Sequence, residues 1–221
     1  MSTPSTEQRP HLTGQPEAEL IQTLLTRLQI PRSGLTVVGD GSGSTWERGC
    51  GWASILIDHE TRGRRAFFGA MNLGSVNFAE AMPYVQALNW FDAQFGKERL
   101  KRLGSLPVHI LTDSQVTAQW GTQASQIGGV LPRKHAALWA AMREYQRLGY
   151  QCVWHWAPRL TTELNWLADL IAGLSRRGLE EYDQDAHDLR LRAINALQAI
   201  QFCPPGSAQP LDPYGYNSED A

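Results

Sequence analysis

The sequence predicts an α/β domain on a five-stranded mixed sheet, with three antiparallel strands followed by parallel ones and helices on its faces. Three observations support this. Three short apolar segments between residues 35 and 73 are separated only by turns, the pattern of an antiparallel meander. From residue 79, stretches of helical periodicity alternate with short strand-like runs, the pattern of crossover connections between parallel strands. The 221 residues are 42% apolar and 19% charged, an ordinary globular balance that supports one core with extensions.

Residues 1–15 are rich in Ser, Thr, Pro, Gln and Gly and are expected to be disordered. Residues 16–34 form an N-terminal helix extension. Leu20, Leu24 and Leu28 fall at helical spacing behind acidic residues, and Pro31 ends the run. The main domain spans 35–178. Its first strand, Leu35–Gly39, is apolar and β-branched and runs into DGSGS. Gly51–Asp58 and Arg64–Leu73 are the next strands, split by the turn-prone HETRG.

A helix over Ala79–Phe95 places Tyr84, Leu88, Phe91 and Phe95 on one face. Pro83 belongs in a first turn, which puts Glu80 at the helix start. Val108–Asp113 is a strand, and Ser114 can cap the short helix SQVTAQW. Residues 121–131 read as a loop, and 133–147 as a helix with Leu138, Met142 and Tyr145 on one stripe. Gln151–Trp156 is a strand. The helix over 164–175 turns Leu164, Leu167, Ala168 and Ile171 inward. A C-terminal helix (179–203) carries Leu189, Ile194, Leu197 and Ile200, and a Pro/Gly/Asp tail (204–221) is expected to be flexible. The terminal helices are candidates to cover a sheet edge, recruit a partner or self-associate.

The composition excludes several classes. No apolar run approaches the roughly 18 residues of a membrane span, and the polar N-terminus is no secretory signal. Cys50, Cys152 and Cys203 are too scattered for a zinc site or disulfide frame and read as reduced thiols of a cytoplasmic protein. A net charge of −2 gives no global attraction for nucleic acid, so such binding would need a local basic patch or a partner.

Four acids stand at the breaks of this order. Asp40 ends strand one, Glu80 opens a helix, Asp113 ends strand four, and Asp169 lies inside the last core helix. Strands one and four would be parallel neighbours, so Asp40 and Asp113 would emerge at the carboxyl edge, where α/β sheets form sites. Taken singly, acids at such positions serve equally as caps and dipole partners. Asp169 differs, because a carboxylate between Ala168 and Ile171 needs a cation or donor nearby.

The surrounding motifs resemble type 1 ribonuclease H. Asp40-Gly41-Ser42 and Gly51-Trp52-Ala53 match the family's first two strands. Asn77-Phe78-Ala79-Glu80 matches its N-x-A-E, and Thr112-Asp113-Ser114-Gln115 its T-D-S-Q. Trp156-Ala157-Pro158-Arg159 and Asn165-Trp166-Leu167-Ala168-Asp169 match its closing W-x-P-R and N-x-x-A-D. The resemblance covers about residues 35–176.

It implies a ribonuclease H-like fold and an endonuclease that hydrolyses the RNA strand of RNA–DNA hybrids, leaving 5′-phosphate ends. Two Mg2+ ions, or Mn2+ in their place, would sit roughly 4 Å apart. Asp40 would bridge both, with Asp113 on one side, Glu80 on the other and Asp169 serving the second ion. Gly41, Ser42, Gly43, Asn77, Ser114, Gln115 and Asn165 would meet substrate, and Arg159 a phosphate. Four anions this close repel, so one carboxyl should have a raised pKa without metal, and metal should stabilise the fold.

The chain departs from the family in places. Arg159 stands where many members carry a His, and cannot act as a base near neutral pH. His155, between Trp154 and Trp156, reads as a packed core histidine. Residues 121–137 hold only Arg133, Lys134 and His135, short of the family's basic handle, so Lys97–Arg102 or Arg176-Arg177 are the other candidate cations. Glu163 is an outside candidate for a metal ligand, and Trp120 and Trp166 are candidates for a nucleic-acid surface. Pro83 after Glu80 is unusual. The rival readings are a resolvase or exonuclease on the same fold, and a non-catalytic nucleic-acid-binding module.

Overall fold

The computed structural model describes residues 33–43, 49–61, 63–71, 75–157 and 163–180. The expected segment 1–15 and the tail 204–221 lie outside the described residues, as do the N- and C-terminal helices save for two residues at the inner edge of each.

The strands are β1 (Leu35–Gly43), β2 (Cys50–Asp58), β3 (Arg64–Met71), β4 (Leu106–Thr112) and β5 (Tyr150–Trp156). The helices are α1 (Val76–Phe91), α2 (Lys97–Leu103), α3 (Gln115–Ser125), α4 (Ala136–Leu148) and α5 (Glu163–Glu180), with a π-helical turn, Asp92–Gly96, joining α1 to α2. The sheet runs β3-β2-β1-β4-β5. β1–β2 and β2–β3 pair antiparallel, while β1–β4 and β4–β5 pair parallel. The expected mixed sheet is therefore observed, and α2 is a helix that the sequence reading did not include.

Strand alternation sorts the core onto two faces. Val38, Ala53, Ile55, Ile57 and Leu111 face α5, where Leu167, Ala168, Ile171 and Ala172 meet them. Leu35, Val37, Leu56, Val108 and Ile110 face the other way, against Tyr84, Leu88 and Phe91 of α1 and Trp139 and Met142 of α4. Each large apolar side chain so buried contributes about 1.5–3 kcal/mol. Cys50 and Cys152 are buried and form no disulfide among the described residues; Cys203 lies outside them. Among the described residues no helix is long and apolar enough to cross a membrane.

Several boundaries differ from the sequence reading. α1 starts at Val76 because the Ser75 hydroxyl accepts the Phe78 N–H at 3.2 Å and caps it. Pro83 therefore lies inside the helix rather than in its first turn, and Glu80 sits in the second turn. The π-helical turn adds a residue to the helical period, so Phe95 leaves the apolar face and is 49% exposed. β1 continues to Gly43 because β2 pairs with it past Asp40. β3 stops at Met71. α3 extends to Ser125, where the Thr122 and Ser125 hydroxyls bond back to the carbonyls of Ala118 and Gly121. α4 starts only at Ala136, because His135 before it is left-handed at φ 57°. α5 runs on to Glu180.

Candidate metal centre

The site opens where two parallel strands part. β1 and β4 pair from Leu35–Val108 to Val38–Leu111 and no further, while β1 goes on with β2. Asp40 and Asp113 each lie two residues beyond that last pair, so they flank the fork at one level. Asp113 directly follows β4, and its carbonyl accepts the Trp156 indole N–H at 3.0 Å.

Glu80 comes from α1, and a glycine lets it approach. An added Cβ at Gly41 would lie 2.4 Å from the Ala79 carbonyl carbon and the Glu80 nitrogen. Only a residue without a side chain lets β1 and α1 touch there. Gly51 does the same for α5: its Cβ would lie 2.2 Å from the Ala172 oxygen. That contact seats the helix bearing Asp169 against the sheet.

One carboxylate oxygen from each of Asp40, Glu80 and Asp113 lies within 4.8 Å of the others. The Asp169 side chain is hydrogen-bonded to Asp40. The structure thus brings all four acids of the sequence reading together around Asp40. Asp40 and Glu80 are buried, whereas Asp113 and Asp169 are half-buried. The Asp40 carboxyl is pushed up to about 10, first by burial, then by the charges of Glu80 and Asp113, then by the hydrogen bond and charge of Asp169. A proton there removes one negative charge from the crowd.

A divalent ion would do so more fully. The donors are all hard carboxylate oxygens, which suit Mg2+ or Mn2+ rather than the nitrogen and sulfur chemistry favoured by zinc. The donor set and its burial therefore fit a hard divalent cation.

The other residues named from sequence are placed unevenly. Gly41, Ser42 and Gly43 form the half-buried end of β1. Asn77 is half-buried in the first turn of α1, and Gln115 is exposed at the start of α3. The Ser114 hydroxyl is engaged as the α3 cap, accepting the Thr117 N–H at 3.2 Å. Asn165 is only 6% exposed and sits within the fold. Arg159 lies outside the described residues, as do the side chains of Glu163 and Trp166. His155 is half-buried in β5, its Nε2 3.2 Å from Nδ1 of His109.

The Lys97–Arg102 cluster is partly committed elsewhere. Arg99 is buried in a two-pronged pair with Asp58 (2.9 and 3.2 Å) and also meets Glu60 at 2.8 Å. Arg102 pairs with Glu60 as well. Trp120 is half-buried with its ring edge-on to Trp139, a packing role rather than a surface one.

The sequence reading gives no polar role to Ser75 or Tyr84, and the structure gives one to each. Ser75 lies 2.9 Å from His135 Nε2, tying the start of α1 to the loop before α4. Tyr84, fully buried, places its hydroxyl 2.9 Å from the Gly39 oxygen and 3.1 Å from the Leu111 oxygen. Burial holds this phenol protonated, so it donates. The available signal was a lone hydroxyl on an otherwise hydrocarbon stripe, since a buried tyrosine needs a partner.

No family model matches the sequence, and no curated protein matches it. Solved structures do. The N-terminal RNase H domain of a Mycobacterium tuberculosis protein is 16% identical, with a TM-score of 0.50, over 68% of this chain and 98% of that one. LC11-RNase H1, isolated from compost, is 17% identical, with a TM-score of 0.51, over 66% and 98%. The same enzyme in complex with an RNA/DNA hybrid gives 16%, 0.52, 66% and 98%. At such identities the likeness concerns the fold, which is ribonuclease H-like.

Proposed function

We propose that this chain is a metal-dependent endonuclease that hydrolyses the RNA strand of RNA–DNA hybrids. The observation that carries the reading is the convergence of Asp40, Glu80, Asp113 and Asp169 at the fork of the sheet, with Asp40 buried among the other three. A crowd of buried anions is costly in a purely structural role. Support also comes from the fold, because one structure of like fold is an RNase H1 bound to an RNA/DNA hybrid.

In this reading the four carboxylates hold a pair of Mg2+ or Mn2+ ions. Bound there, such ions supply an activated water and stabilise the leaving oxygen. The protein's own part is rigidity and access. Asp40 is held within β1 at the fork, Asp113 directly follows β4, and Glu80 and Asp169 stand on packed helices, so the ligand set is preorganised. Gly41–Gly43, the half-buried end of β1, offer main-chain groups to a sugar-phosphate backbone, and Gln115 and Asn77 are polar groups suited to a ribose 2′-OH or a base edge. Arg133 and Lys134 are exposed cations in the loop before α4. With a net charge of −2, binding rests on such local cations and weakens steeply with salt.

The test is parallel digestion of labelled RNA–DNA hybrid, double-stranded RNA and double-stranded DNA, with Mg2+, with Mn2+ and with EDTA. Metal-dependent internal cutting of the hybrid's RNA strand alone is expected. Equal cutting of DNA would overturn the hybrid reading. Trimming from ends would favour an exonuclease, and metal-induced stabilisation without cutting of any substrate would favour a binding module.

A further inference from the structure

The acids sit on four separate elements, and one side chain joins three of them. Tyr84 belongs to α1, one turn after Glu80, so the two residues stack on the same side of the helix. Its hydroxyl meets the carbonyl of Gly39, the residue before Asp40, and that of Leu111, two residues before Asp113. These carbonyls stand where the β1–β4 ladder ends. The hydroxyl therefore bridges the two strands just below the fork, at the level where their pairing stops.

The strand is shaped to admit this bridge. An added Cβ at Gly39 would lie 2.8 Å from both the Tyr84 ring and the Pro83 Cβ. Pro83, which lacks an N–H for the Ala79 carbonyl, presses against β1 here. The Tyr84 ring also packs at 75° to that of Trp154, at 5.1 Å between centroids. The Trp154 indole is in turn fixed by the Ser125 hydroxyl at 3.1 Å.

We infer that Tyr84 is a positioning residue of the metal centre: clasped by Gly39 and Pro83, it sets the spacing of Asp40, Asp113 and Glu80 by anchoring β1, β4 and α1 to one hydroxyl. The inference rests on the proposed function only in taking those acids as metal ligands. Groups that orient metal ligands commonly affect metal affinity about 10- to 100-fold.

The experiment measures Mn2+ binding to the full chain by calorimetry, without substrate. Tyr84→Phe keeps the ring and removes the hydroxyl. Tyr150→Phe is the matched control, since it removes a buried tyrosine's bond to Asp92 (2.7 Å) away from the acids. Both variants are expected to lose thermal stability. Only Tyr84→Phe should raise the Mn2+ dissociation constant, by about 10-fold. Gly39→Ala, which keeps the hydroxyl but displaces the ring, should do likewise, and carries the test if Tyr84→Phe fails to fold. Wild-type affinity in Tyr84→Phe or in a folded Gly39→Ala would reduce Tyr84 to packing and overturn the inference. A wild-type chain that binds no Mn2+ would instead fell the metal-centre reading, and this inference with it.

Discussion

Asp40 is the residue on which the site turns. It is buried, hydrogen-bonded to Asp169 and close to two further carboxylates, so metal-free folding is obtained against its charge. Two substitutions separate that cost from the chemistry. Asp40→Asn keeps the shape and removes the charge, so at pH 8 the metal-free variant should melt higher than wild type. The same variant should lose the stabilisation by Mg2+ that wild type shows. A lower melting point in EDTA would mean that Asp40 is held by donors rather than opposed by anions. Asp113→Asn lies at the half-buried rim of the cluster. It should fold as wild type yet cleave hybrid about 10³-fold more slowly, on the scale of removing a preorganised electrostatic group. Parental cleavage rates from this variant would show that the cluster is not the reaction centre.

At the scale of elements, the site depends on close approaches that glycines allow. Gly51 admits α5, and a methyl group there would press on the Ala172 oxygen and the Arg176 nitrogen, 2.5 Å away. Gly51→Ala should cost about 1–3 kcal/mol by overpacking and, because α5 carries Asp169, should also weaken Mg2+ binding. Urea unfolding with and without Mg2+ checks both effects; a loss of stability with full metal stabilisation would show that α5 shifts without carrying Asp169. The strands and helices were legible because period-2 and period-3.6 patterns are local, and the four acids because each stands in a local motif. What the sequence misplaced depends on distant partners. Local sequence alone puts Pro83 in a first turn, but the Ser75 cap, with its hydroxyl also held by His135, starts the helix earlier. Lys97–Arg102 looked like a free basic run, but Arg99 is bound to Asp58, 41 residues away. Tyr84 looked like core because its two carbonyl partners, 45 and 27 residues off, have no local signature.

For the whole molecule, these groups combine into one dependence of stability on pH. His155, lowered from 6.5 to about 4 by burial and then by His109, and His109, lowered by burial, are held neutral in the fold. The unfolded chain takes up their protons below about pH 6.5, so stability is lost as pH falls toward 4. Asp58 acts in the same sense lower down: burial raises its pKa, but the bonds from Arg99, Thr61 and the Glu60 backbone outweigh it, so its stabilisation disappears as the carboxylate is protonated. Asp40 acts in the opposite sense. Unfolded, it ionises above 3.8, whereas in the metal-free fold it keeps its proton up to about 10. Across that window metal-free stability declines with rising pH, by at most about 1.4 kcal/mol per unit. Between about pH 4 and 6.5 the two histidines oppose this loss, and Asp58 acts only below that range; above pH 6.5 Asp40 dominates, with Cys152 joining it near pH 9 because burial raises that thiol. The metal-free protein should therefore be most stable at about pH 6–7 and weaken toward pH 9. Saturating Mg2+ favours the ionised carboxylate and should abolish the alkaline decline while leaving the acid limb in place. Urea midpoints from pH 5 to 9, in EDTA and in Mg2+, measure both limbs. An alkaline decline that persists unchanged in Mg2+ would mean that metal does not bind at Asp40.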